Sequence, residues 1–387
     1  MTNSYHLGID ATNIQSGGGG LTHLSQMLDC YAAEKYEINK ITIWTSKYAS
    51  DKLPDRQWIF KKTNSWIEKN IFFRFLWQQF IFPRVLKNEK CDILFSPGGT
   101  IPFKRSIPVV CMSQNMLPFE TNEAKFFGLY SLMYLKMVLL KYIQGWSFKN
   151  SDGVIFLTEY AYKSISEFLH FSFDKVSIIP HGIEPRFLAK PRFQMHLNMF
   201  TSENPFKFLY VSILMPYKHQ CEIAHAAKQL QDLGFNIEIR FIGSSWSWYG
   251  KKFRALINSL DPKHKFLIWN GDESFESLHH FYKDSDAFIF GSSCENLPNI
   301  LLEAMASGLP IASSNYGPMP EVLSDSGIYF DPLNIDSILN SLVIIMRDTD
   351  LRKSLSSKSW EKSKQYTWEK CADQTFKFMH SIVSKVS

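Results

Sequence analysis

Short apolar runs recur along the chain, each closed by turn residues and most followed by a longer stretch with helical spacing. Tyr5–Asp10, Ile41–Thr45, Asp92–Ser96, Pro108–Met112, Gly153–Thr158 and Val176–Ile179 are too short for helices and predict buried strands. A less regular stretch from Ala189 to Pro205, carrying Pro191 and Pro205, then interrupts the alternation. It restarts with Lys207–Ile213, Asn236–Ile242, Lys265–Trp269, Asp286–Phe290, Leu309–Ala312 and Ile328–Phe330, with helices beginning near His219, Lys251, Glu276 and Asn299. Strand–helix alternation predicts α/β architecture, with parallel sheets covered on both faces. At 387 residues the chain exceeds what one core serves. We therefore expect two doubly wound domains, over residues 1–190 and 206–365, with a linker over 191–205 and a helical, polar end over 366–387.

Two stretches do not fit plain strand–helix units. Phe126–Phe148 reads as one long helix broken up by Lys136 and Lys141. Trp66–Leu86 interleaves Phe72, Phe73, Phe75, Trp77, Phe80 and Phe82 with Arg74 and Arg84, and Pro83 should bend or end it. It can be an interfacial helix, with rings entering a headgroup region and cations meeting anionic lipid. It can equally be a core helix with a basic outer face.

Composition changes the picture little, because 45% hydrophobic and 20% charged residues describe an ordinary folded protein. Charge distribution changes it more. The net charge is +5, and residues 61–90 alone set seven cations against Glu68 and Glu89. An anionic membrane surface is the expected partner of that segment; with no recognisable motif, nucleic acid is not. No uncharged window reaches transmembrane length, and the N-terminus lacks the basic-then-apolar order of a signal peptide. The six cysteines form no Cys-x-x-Cys pair, as expected of reduced thiols in the cytoplasm. Cys294 has no obvious base beside it and reads as a packing residue.

The candidate chemistry lies between Phe288 and Pro310, a buried strand, a polar loop and a short helix. Pro298 suits the helix start and Gly308 its end. Glu295 lies in the loop and Glu303 in the helix, while the helix N-terminus offers free N–H groups to an anion. A carboxylate able to hold sugar hydroxyls beside such a helix end suggests a nucleotide-sugar site. Ligands of doubly wound sheets bind at the carboxyl ends of strands. Ser212–Lys218, Gly243–Ser245 and Ser292–Asn299 should therefore converge. Ser16–Gly20 either lets the backbone approach a ligand or is a simple strand–helix turn.

With these residues in place, the chain resembles the family-4 retaining glycosyltransferases, whose GT-B fold sets two Rossmann-like domains across a cleft. Glu295 and Glu303 stand at that family's Glu-x7-Glu spacing within Glu-Asn-Leu-Pro-Asn-Ile-Leu-Leu-Glu. Gly182, Gly243, Gly271, Tyr282, Pro320-Glu321, Asp331-Pro332 and Tyr366–Trp368 match as well. Asn115–Phe119 looks like a subgroup from surface-polysaccharide gene clusters. The resemblance implies a hexose, mannose or another, moved from a nucleoside-diphosphate sugar to a lipid-linked glycan. It implies no cofactor and no metal, and a final helix packing back on the first domain. Glu295 would contact the sugar and Lys218 would neutralise the departing diphosphate, as the catalytic pair. The remaining donor-binding positions would be Gly18, Gly19, Gln114, Ser212, Gly243, Asn296, Leu297, Asn299 and Glu303, the last on the ribose hydroxyls. Asp284-x-Asp286 ends a helix and reads as structural rather than metal-binding. Two positions depart from the family: Ile213 replaces an arginine, and Gln114 falls where a histidine is usual. They leave open a weakened, sugar-nucleotide-binding relative; a GT-B epimerase is a second alternative.

Overall fold

A computed structural model describes residues 4–31, 36–170 and 174–384. Residues 1–3, 32–35 and 171–173 of the expected first domain and 385–387 of the expected final helix lie outside that description. The chain divides into two compact units. One comprises the chain up to Thr121, Tyr130–Gly182 and the part from Tyr366 onward; the other comprises Asn122–Leu129 and Ile183–Gln365.

The first unit is built on seven strands: β1 (Tyr5–Ala11), β2 (Ile38–Thr45), β3 (Ile59–Lys62), β4 (Ile93–Ser96), β5 (Val109–Met112), β6 (Gly153–Phe156) and β7 (Val176–Ile178). They pair in the order β3-β2-β1-β4-β5-β6-β7, parallel throughout. Burial on both faces explains why β4, β5 and β6 read as unbroken apolar runs rather than alternating ones. The edge strand β3 was not visible in the sequence; only Ile59 of its four residues is buried. The final helix, Trp368–Val383, turns Trp368, Cys371, Phe376 and Met379 inward and belongs to this unit, as expected. A Cβ on Gly153 would lie 2.9 Å from Phe378 of that helix.

The second unit has six strands: β8 (Phe206–Val211), β9 (Ile237–Ile242), β10 (Leu267–Gly271), β11 (Ala287–Phe290), β12 (Ile311–Ser314) and β13 (Ile328–Phe330). Their order is β10-β9-β8-β11-β12-β13, again all parallel. In both sheets the order reverses beside the first strand, the arrangement that opens a crevice at the carboxyl edge.

Both unusual stretches differ from expectation. The Trp66–Leu86 region is a short helix over Ile71–Leu76, a π-turn over Trp77–Ile81 and a second helix over Phe82–Asn88. Pro83 neither ends nor breaks it. The Phe82 N–H reaches back to the Trp77 carbonyl, and this wider turn accommodates a proline that cannot donate. The segment is part core, part surface: Trp77 and Phe82 are buried, whereas Ile71, Phe72 and Phe80 are exposed. The long helix begins at Leu132, not Phe126. Gly128, at φ +93°, stops the short helix before it, and the Ser131 side chain caps the new start.

Candidate functional site

The loops that leave the carboxyl ends of the second sheet lie side by side. Ser212 N–H donates to Ile242 O at 2.8 Å and Leu214 N–H to Ser244 O at 2.8 Å, joining the β8 and β9 loops. Gly243 N–H donates to Gly271 O at 2.7 Å, adding the end of β10. Gly243 has φ +141°, and a Cβ there would run into the Ser212 carbonyl, so only glycine lets these loops close up. On the other side, Ser293 N–H donates to Tyr217 O at 2.9 Å, and His219 Nε2 meets Ser293 Oγ at 2.9 Å. Ser212, Gly243, Lys218, Glu295, Asn296, Leu297 and Asn299 thus sit on adjoining loops of one sheet edge.

Lys218 closes a 3₁₀ turn over Pro216–Lys218, where the Tyr210 hydroxyl donates to its carbonyl at 2.6 Å. Its ammonium forms an ion pair with Glu295 Oε1, and both side chains are largely withdrawn from water. The rings of Tyr217 and Phe290 stand 5.2 and 5.8 Å from the same nitrogen. Burial and the Glu295 charge hold the Tyr217 phenol well above its usual range. A buried pair of this kind is costly to separate unless another charge takes one partner's place. Its ammonium can therefore pass to an entering anion, and its carboxylate to hydroxyls. Asn296 and Leu297 are buried next to it and lead into the helix Asn299–Ala306 through Pro298.

Glu303 lies one turn inside that helix and is buried. The Tyr282 hydroxyl donates to its Oε2 at 2.9 Å. Burial pushes the Glu303 carboxyl up to about 7; Glu184 adds to the rise, and the Tyr282 hydrogen bond and Arg186 counter it. A buried carboxyl with one protein donor has acceptor capacity left for hydroxyls. The sequence showed Tyr282 as a matching position but not its task, which exists only once the helix Leu278–Asp284 packs beside Glu303.

Gly18, Gly19 and Gln114 come together in the first unit. They line a cavity of about 330 Å³ with Asn13, Asn115 and Gln144, and no charged side chain lines it. Gly18, at φ +132°, precedes the helix Gly19–Asp29, whose first residues Gly19, Gly20 and Leu21 line the cavity. Ser16–Gly20 is therefore both a strand–helix turn and a cavity lining. Gln144, nearly fully buried, has an Oε1 with no hydrogen-bond partner among the described residues. The sequence hid it as a lone amide in an apolar helix.

Ile213, in the place of the expected arginine, is 39% exposed. Asp284 pairs with Lys207 at 2.9 Å and Asp286 accepts the Lys207 N–H at 2.9 Å, so both organise the strand entry. No three His, Cys, Asp or Glu side chains gather as a metal cluster among the described residues.

Residues 17–187 match the family model Glycosyltransferase Family 4, and residues 197–362 match Glycosyl transferases group 1. The chain belongs to the GT-B glycosyltransferases. An uncharacterized glycosyltransferase of Haemophilus influenzae is 23% identical over 95% of this chain and 98% of its own. The O-antigen chain mannosyltransferase B of Escherichia coli is 32% identical, over only 26% of either chain. Among solved structures, HepE of Anabaena in complex with UDP aligns with TM-score 0.70 at 14% identity, over 97% of this chain and 100% of its own. WaaG, a glycosyltransferase involved in lipopolysaccharide biosynthesis, aligns with TM-score 0.72 at 13% identity, over 97% and 99% of the two chains.

Proposed function

We propose that this glycosyltransferase moves a hexose, with retention of configuration, from a nucleoside-diphosphate sugar to a hydroxyl of a lipid-linked surface glycan. The observation that carries the reading is the Lys218–Glu295 pair set at the mouth of the helix that holds a buried Glu303. The names of the mannosyltransferase and of WaaG support a surface-glycan product, and the UDP bound to HepE supports a nucleotide donor.

In this reading the ribose hydroxyls donate to Glu303. The diphosphate lies over the Asn296 and Leu297 amides and takes the Lys218 ammonium from Glu295, which turns to the sugar hydroxyls. Charge that builds on the leaving diphosphate as the glycosidic bond breaks is met by Lys218 and the amides, so stabilisation grows toward the transition state. These groups take the part a divalent metal plays elsewhere, and no cofactor is needed. In the same reading Gly18, Gly19 and Gln114 are donor-binding positions. Gln114 can orient a hydroxyl but cannot carry a proton at neutral pH. Ile213 and Gln114 favour a second reading, a weakened relative that binds sugar nucleotides without transfer.

No helix among the described residues is long and apolar enough to cross a membrane. We place the chain at the cytoplasmic membrane face, held there through residues 61–90, where Ile71, Phe72 and Phe80 are exposed beside Lys69.

The test is a donor panel that includes UDP-glucose and GDP-mannose, with nucleoside diphosphate release followed in the presence of lipid-linked oligosaccharides. Turnover that Lys218→Ala abolishes supports transfer, and binding without turnover supports the second reading. No binding of any donor, with Glu303→Ala unchanged from wild type, sinks both.

A further inference from the structure

The helix Leu132–Asn150 of the first unit carries an apolar stripe that the sequence did not separate from its core face. Tyr130, Leu132, Leu135, Leu139 and Tyr142 are 94, 87, 55, 62 and 67% exposed. Their spacing of three and four residues places the helical members on one side. The opposite side, with Met137, Gln144, Ser147 and Phe148, is buried. An amphipathic helix of a free-standing domain would turn charge outward; here the outward side carries an apolar stripe. So large an exposed patch calls for an occupant.

The stripe joins the exposed rings of the Ile71–Leu76 helix. Phe103, 51% exposed, lies between them, 4.8 Å from the Trp146 ring and 6.0 Å from the Phe75 ring. Backbone and side chain fix that bridge. Phe103 N–H donates to Gln79 Oε1 at 2.7 Å, and Ile101 N–H donates to Ser147 Oγ at 3.2 Å. The π-turn is what aims Gln79 inward while Phe80 points out. Leu132, Leu139, Tyr142, Phe103, Phe72 and Phe80 therefore belong to one surface.

Charge selects the occupant. From Lys69 to Asn88 and from Tyr130 to Ser151 the chain has no Asp or Glu, while Lys69, Arg74, Arg84, Lys87, Lys136, Lys141 and Lys149 lie within those spans. Lys141 is buried against Phe168 and is no part of the surface. Lys104, Lys136 and Arg84 are exposed and form no ion pair among the described residues. A protein partner is matched by mixed charge, whereas rings and leucines among unpaired cations match the headgroup boundary of an anionic bilayer.

We propose that Tyr130–Tyr142, bridged through Phe103 to Ile71–Phe80, docks this unit on an anionic lipid surface. The proposal deepens the membrane reading of residues 61–90 and rests on it. It is tested without donor or acceptor, so its failure leaves the transferase reading standing. Purified protein is sedimented with vesicles of equal parts phosphatidylglycerol and phosphatidylethanolamine, and with phosphatidylcholine vesicles. The double variant Leu132→Ser, Leu139→Ser, at exposed positions, is compared after its melting profile is matched to wild type. The expected result is sedimentation with anionic vesicles only, weakened by salt and reduced about tenfold or more in the variant, since two buried leucines are lost from the headgroup boundary. Absent or variant-insensitive binding overturns the proposal. So does a wild-type dimer that the variant makes monomeric without any vesicle binding, which would assign the face to a second copy of the chain.

Discussion

The Glu303 carboxyl offers the sharpest test of the donor site. Free, it titrates at about 7; ribose hydroxyls donate to its ionised form, so a bound donor pulls that value down. At pH 8 about nine in ten molecules carry the anion, and at pH 6 about one in eleven. Donor affinity should therefore fall about tenfold between those conditions, close to 1.4 kcal/mol, with about half a proton released on binding at pH 7. A nucleotide sugar is the right probe, because its diphosphate is esterified at both ends and does not itself titrate there. Calorimetry in buffers of different ionisation enthalpy counts the proton directly. The same shift acts on stability with the opposite requirement. Glu303 titrates higher in the folded chain than its ordinary 4.5, so the folded state holds more protons and loses stability as pH rises from about 4.5 through 7. The loss amounts to about 3 kcal/mol when complete. Glu303→Gln should bind donor weakly without pH dependence, and should melt relatively higher at pH 8 than at pH 5 compared with wild type. A wild-type affinity that is flat from pH 6 to 8, with no proton released, would refute the placement of ribose on Glu303.

The remaining expectations concern packing and charge. Lys218→Met and Glu295→Gln each leave a buried charge alone and should cost about 3 kcal/mol of stability, while the double variant costs less than the two together; a thermal double-mutant cycle reads the coupling. His23 and His181 face each other at 2.8 Å with Trp368 against both rings, and burial lowers His23 to about 4. Since the folded value lies below the unfolded one, His23 supports the fold above about 6.5 and that support, about 3 kcal/mol, is lost as pH falls through 4. Denaturant midpoints of the first unit should show it, and His23→Leu should flatten the curve. Gly182→Ala would push a Cβ into the Trp368 backbone, which cannot yield as a side-chain tip can. A loss of about 3 kcal/mol or more in a melting experiment is expected; a neutral result would mean that contact relaxes freely.

Most of the strands and their parallel direction were legible because burial on both faces leaves apolar runs that turn residues punctuate, as in Phe288–Phe290 before Gly291. The elements that escaped are those whose signal is not local. β3 lies at an edge and buries one residue, so it leaves almost no pattern. The start of the helix at Leu132 rests on Gly128 and Ser131, two small residues inside an otherwise continuous apolar stretch. Around the candidate site the same division holds. Glu295 and Glu303 could be picked out because their spacing lies within one strand–loop–helix unit. The task of Tyr282, and Gln144 and the facing histidines altogether, could not, because each acquires its neighbour from a separate element. Pro83 marks the boundary between the two cases. Its chemistry predicted a bend or an end, and the chain answered with a wider turn that sends Gln78 to Asp10 at 2.6 Å and Gln79 to the Phe103 backbone. A local penalty was thus absorbed by distant hydrogen bonds, and the same turn left Phe80 on the surface. Residue type fixed the problem at that position, and tertiary packing chose which of its solutions the chain adopts.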